Sequence, residues 1–135
     1  MAFAPINHIA LTVRDLEVSA PWYRALIGED PLHDEHTDGG FHHVVWRLSG
    51  DTLISIHQHD RAADGQRFSE FRVGLDHVGC GCANRAELEA WAKRLAELGI
   101  EHGGIVDESY GSGLSFRDPD GIALEFFGRP EDRSR

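Results

Sequence analysis

Cysteine is scarce in this chain of 135 residues, with Cys80 and Cys82 the only two. One residue apart, they are too close for an unstrained intrachain disulfide in a strand, so they read as reduced thiols. Long apolar runs are missing as well: none approaches the roughly 20 residues that a membrane-spanning helix needs. The opening MAFAPINH has neither the basic start nor the apolar core of a secretory signal. These absences lead to the expectation of a soluble, cytoplasmic protein without a membrane partner. Basic residues are the minority, 13 against 23 acidic ones, and the formal charge of -10 repels phosphate backbones. Nucleic acid is therefore not an expected partner. With 41% hydrophobic and 27% charged residues the composition is that of a globular chain, and the length suits one domain with a real core.

What the chain has is an internal repeat. HIALTV beginning at His8 returns as HVGCGC beginning at His77, 69 residues later, and each opens an alternating strand pattern. Trp22 and Trp91, Leu26 and Leu95, and the basic Arg24 and Lys93 keep the same offset. A first helix is predicted over Ser19 to Ile27, introduced by Asp15-Leu16, with Pro21 in its opening turn and Gly28 as its stop. A second follows Asn84 as cap, with Glu87 at the capping-box position and Leu88, Trp91, Leu95 and Leu98 at helical spacing before Gly99. Strands are predicted over 31–36, 41–48 and 52–59 in the first half. In the second half they are predicted over 101–107, 113–118 and 122–128. Each half is one strand, one helix and three strands. Module one spans about 5–60 and module two about 73–128, with a polar linker over about 61–72 and a polar tail over 129–135, neither expected to carry chemistry.

Strand alternation sorts the side chains. Ile9, Leu11 and Val13 face the helices, leaving His8, Ala10 and Thr12 on the other side. Val78, Cys80 and Cys82 form the equivalent helix-facing set, leaving His77, Gly79 and Gly81 opposite. In the last strand Ala123, Glu125 and Phe127 share a face. A buried carboxylate in this apolar strand needs a cation or a strong donor. Two histidines at equivalent repeat positions and one glutamate suit a divalent metal. Cys80 and Cys82 read as small buried hydrophobes instead.

With these residues in place, the chain resembles the vicinal oxygen chelate superfamily of glyoxalase I, bleomycin-resistance proteins, fosfomycin-resistance enzymes and extradiol dioxygenases. The resemblance rests on HIALTVRDLEVSAPWYRALIG from His8, GLDHVGC from Gly74 and FRDPDGIALEFF from Phe116. It implies an α+β fold in which paired βαβββ modules form an open, curled mixed sheet around a metal and substrate cavity. It also implies metal ligands at His8, His77 and Glu125. The family's fourth ligand position falls near Ser55, and serine is a poor ligand. His57, two residues on along the same face, is then either the fourth ligand or a pocket acid or base. His59 reads as solvent-exposed. Of His42 and His43, which must face opposite ways, at most one lines the pocket. Tyr110, ahead of a GSG loop, stands at the rim or packs on the surface.

Nitrogen and oxygen ligands suit Zn, Ni, Mn or Fe(II). The expected function is a metal-dependent lyase or isomerase working through a metal-stabilised enolate, or a dioxygenase, acting on a small oxygen-bearing molecule, with Glu125 and His57 as proton carriers. The alternative is a metal-free protein that sequesters an antibiotic, as bleomycin-resistance proteins do. Related chains of this size lead to the expectation of a homodimer.

Overall fold

The computed structural model describes residues 1–61, 63 and 67–130. Residues 62 and 64–66 of the expected linker and 131–135 of the expected tail lie outside the described residues. The chain divides into two units, Met1–Gln66 and Arg67–Arg135. Among the described residues, no helix is long and apolar enough to cross a membrane.

The first unit runs β1 (His8–Thr12), α1 (Leu16–Ile27), β2 (His33–His36), β3 (Phe41–Arg47) and β4 (Leu53–His59). Its sheet has the order β1-β4-β3-β2. β1 lies parallel to β4, and the other pairs are antiparallel. A parallel pair needs a long crossover, supplied here by α1, β2 and β3. The second unit repeats the scheme with β5 (Val78–Cys82), α2 (Arg85–Glu97), β6 (His102–Glu108), β7 (Gly111–Arg117) and β8 (Ala123–Gly128), in the order β5-β8-β7-β6. Two open mixed sheets, each carrying one helix, are thus the architecture the repeat predicts.

α1 begins three residues earlier than expected, at Leu16. Asp15 caps it by accepting from the Glu17 amide at 2.9 Å, and the Leu16 amide donates to the Gln58 side chain at 2.7 Å, which ties the helix start to β4. Such a cap is worth about 1 kcal/mol. Pro21 consequently sits inside the helix rather than in its opening turn. The proline and Glu17, whose carbonyl loses its helical donor, are both exposed, so water can take the missing bond. Gly28 ends α1 at φ 80° with its amide on the Arg24 carbonyl. In α2 the predicted cap holds: Asn84 accepts from the Glu87 amide at 2.9 Å, and the Glu87 carboxylate reaches back to the Ala83 amide at 2.9 Å.

Each helix covers one sheet face. In the first unit Leu11, Val13, Tyr23, Leu26, Val44, Trp46, Ile54 and Ile56 are buried, and the Trp46 indole donates to the Glu29 carbonyl at 3.1 Å. In the second, Leu88, Leu95, Leu114, Leu124 and Phe126 are buried, with Trp91 stacked on Phe126 at 4.2 Å between ring centres. Burying such side chains contributes roughly 1.5–3 kcal/mol each. The GSG segment is not a loop. Gly111, Ser112 and Gly113 open β7, with Ser112 paired to Gly128 and Gly113 to Phe127. Glycine occurs at 111 and 113 because neighbouring groups pass where a Cβ would lie, and at 111 also because φ is 148°.

Residues 67–72, expected as a passive part of the linker, hold onto the second sheet. The Arg117 guanidinium grips the Glu70 carboxylate through two contacts, 3.2 and 2.9 Å. This pulls the Glu70 pKa down from 4.5 to about 2. A carboxylate with a depressed folded pKa contributes stability above its unfolded pKa, and that contribution is lost as the pH falls toward the folded value. Unfolding by denaturant at stepped pH should therefore show stability declining from about pH 4.5 to about pH 2. Glu70→Gln should flatten that decline. The pair is open to solvent, so added salt should shrink the difference between the two proteins.

Candidate functional site

The helix-free face of the second sheet brings His77 and Glu125 together. β5 carries His77 just before its first residue, and Gly79 pairs with Glu125 on β8. His77 Nε2 stands 3.8 Å from Glu125 Oε1, too far for a hydrogen bond. The other ring nitrogen, Nδ1, lies 2.7 Å from the Asp76 carboxylate. A carboxylate accepts from Nδ1 there, which leaves Nε2, the nitrogen nearer Glu125, as the one that could bind a metal.

Glu125 is held in a glycine cradle. A Cβ at Gly113 would lie 3.1 Å from Glu125 Oε2, and one at Gly79 would lie 3.8 Å from Oε1. Its side chain is 24% exposed, and its one ionic partner among the described residues is His77. A carboxylate so shielded and so poorly paired fits a cation. His77 and Glu125 are the two residues of this face that would hold it. Phe127 continues the same face, and Tyr110, 60% exposed, stacks against it at 6.2 Å. Tyr110 thus packs, largely exposed, on a residue that shares the Glu125 face.

In the first unit, His8 precedes Ile9 on the face away from α1 and is exposed. Its Nδ1 donates to the Asn7 side-chain oxygen at 2.8 Å, so Nε2 is again the free nitrogen. Asn7 and Asp76 share the 69-residue offset of the two histidines. Sequence reasoning missed both residues, although the signal stood one position before each histidine.

On the same face, β1 pairs Ala10 with Ser55 and Thr12 with His57. His57 stacks on Phe41, ring centres 4.5 Å apart, and meets His43 edge-on at 5.6 Å. Burial, then the neighbouring His43, His59 and His8, push the His57 pKa below its ordinary 6.5, so the ring is neutral at neutral pH. It suits a proton acceptor or a ligand. His59 is exposed, as expected, with Nε2 3.4 Å from the Thr12 hydroxyl.

Of the neighbouring histidines it is His43 that shares the His57 face, backed by Glu35 at 3.4 Å. His42 faces α1 and contacts Asp34 at 2.6 Å. The cysteines lie on the helix-facing set. Burial raises both thiols, Cys82 to about 11 with help from Glu87 and Cys80, so neither is a thiolate at neutral pH.

Within neither unit do three His, Cys, Asp or Glu side chains of the described residues gather closely enough to hold a metal. His77 and Glu125 are together in the second unit, while His8 and His57 share a face of the first.

Comparison with known proteins bears on the family and the fold. Residues 5–126 match the profile of the Glyoxalase/Bleomycin resistance protein/Dioxygenase superfamily. The structure of a glyoxylase/bleomycin resistance protein/dioxygenase domain from Frankia sp. EAN1pec is 31% identical, covers 96% of this chain and 95% of its own, and superposes with a TM-score of 0.85. An antibiotic binding protein from a Streptomyces species, 21% identical over 96% of this chain and 99% of its own, shares the fold with a TM-score of 0.70. The Bacillus subtilis protein MhqA, whose name proposes ring-cleaving dioxygenase chemistry, is 26% identical over 125 residues. That match takes in 92% of this chain, but the chain spans only 39% of MhqA's length. A profile match over nearly the whole length, joined to the repeated βαβββ unit, places the chain in the Glyoxalase/Bleomycin resistance protein/Dioxygenase superfamily.

Proposed function

We propose that this protein is a metal-dependent enzyme in which His8, His77 and Glu125 hold one divalent ion, with His57 as a fourth ligand or as the proton carrier. The three ligands come from one chain or from the two chains of a homodimer. The observation that carries the reading is the matched pair of histidines. Each has Nδ1 tied to the side chain just before it, and one of them directs its free Nε2 at a glycine-cradled carboxylate.

When bound, Zn, Ni, Mn or Fe(II) would polarise a carbonyl or hydroxyl oxygen of a small substrate. The chain's own contribution is positioning and proton handling. Asp76 and Asn7 orient the imidazoles, and the neutral His57 ring, packed on Phe41, is the candidate to take a proton from a carbon beside that oxygen. Glu125 is the other candidate proton carrier. The reaction class is a lyase or isomerase working through an enolate, or ring-opening oxygenation of a catechol as the likeness to MhqA suggests.

A second reading, sequestration of an antibiotic without metal, draws support from Ser55 standing where a fourth ligand is expected, and from the flat Phe41–His57 surface beside it. Protein purified without a histidine tag separates the readings. The enzyme is expected to carry about one equivalent of metal per site, and a protein that stays metal-free after soaking is the binder. With Fe(II) loaded, oxygen uptake on adding catechols marks the dioxygenase. Exchange of a substrate C–H with deuterated water, without oxygen uptake, marks the lyase or isomerase.

A further inference from the structure

The two sheets pair their strands in the same register. Ile9 faces Ile54 and Ala10 faces Ser55, just as Val78 faces Leu124 and Gly79 faces Glu125. Position 55 therefore stands to His8 as position 125 stands to His77. The neighbours differ in size in a matching way. Where Glu125 has Gly79 across the parallel pair and Gly113 on the adjacent antiparallel strand, Ser55 has Ala10 and His43 at the corresponding places. The first repeat has exchanged a long acidic side chain among glycines for a short hydroxyl among larger groups.

That hydroxyl is anomalous. Ser55 is 5% exposed, and among the described residues its Oγ has no hydrogen-bond partner. A buried, unpaired hydroxyl costs free energy, and natural proteins rarely leave one without a use. We propose that Ser55 is a positioning residue whose hydroxyl is kept free for an oxygen carried by the bound metal, a water in the resting protein, at the place where the second repeat supplies a carboxylate. The inference rests on the metal-centre reading above. On this account the first repeat trades a permanent fourth ligand for a hydrogen-bonded, exchangeable one.

The test uses the full chain, Ser55→Ala, and Zn2+ alone as probe. Metal-free Ser55→Ala is expected to melt at the wild-type temperature or above, because an unsatisfied polar atom has been removed. Its Zn2+ affinity, read by competition with a chromophoric chelator, is expected to fall about tenfold, in the range seen for lost outer-shell partners. A lower melting temperature for the metal-free variant would show that the hydroxyl already has a structural partner and would overturn the proposal. An unchanged Zn2+ affinity would overturn it too. If the wild-type protein itself takes up no Zn2+, the metal-centre reading fails, which is distinct from wild-type uptake that Ser55→Ala leaves untouched.

Discussion

Glu125→Gln is expected to bind divalent metal at least about 100-fold more weakly than the wild type while folding as well or better. The loss should exceed what outer-shell changes cost, since a charged ligand is being replaced by a neutral amide of the same shape. Folding should not suffer, because among the described residues the carboxylate meets no donor within hydrogen-bond distance and its ionic partner is His77 at 3.8 Å. Neutralising a half-shielded charge with so little compensation removes a cost rather than a contact. His77→Ala should behave alike, losing metal uptake and keeping the fold, since the buried helix faces hold the unit without it. Isothermal titration with metal, paired with melting curves of the metal-free proteins, reads both effects. A variant that unfolds, or one that binds metal as the wild type does, would count against a ligand role.

The largest stability effect is expected at Gly111. A Cβ there would come 2.3 Å from Phe127 Cζ and 2.5 Å from the Gly128 carbonyl oxygen, at a φ of 148° that side chains rarely adopt. The phenyl ring has some freedom to move, but the carbonyl is held by the β7–β8 ladder, where Gly128 pairs with Ser112. Gly111→Ala should therefore cost about 3 kcal/mol from crowding and backbone strain together. In a domain of this size that is about 10 °C of melting temperature. Gly81→Ala is the control. A Cβ at Gly81 meets nothing within 4 Å, and the same measurement should find it close to neutral.

Much of this was legible in the sequence, and the reasons for the rest are physical. The face assignments of β1, β5 and β8 followed from alternation because each strand has one apolar side against a helix, and a one-residue slip would have buried His8 or Glu125 with the core. Ser55 followed from the repeat because both sheets keep one register. The start of α1 did not, since Pro21 argues against a helix around it, and only the exposure of that turn makes the lost bond tolerable. The choice between His42 and His43 was hidden because β3 continues with Val44, Val45 and Trp46, all buried, so alternation shows no single apolar side to set a direction. The strand character of Gly111 and Ser112 was masked by glycine, which signals a turn in sequence yet at Gly111 serves as clearance for Phe127. The roles of Asn7 and Asp76 needed atomic distances, although their shared offset was visible.

X-ray absorption fine structure of the metal-loaded protein tests the central claim most directly. The account predicts a first shell of nitrogen and oxygen with at least two imidazole rings, at about 2.0–2.2 Å for zinc, and no sulfur. A shell with fewer than two imidazoles, or one with sulfur near about 2.3 Å, would contradict it.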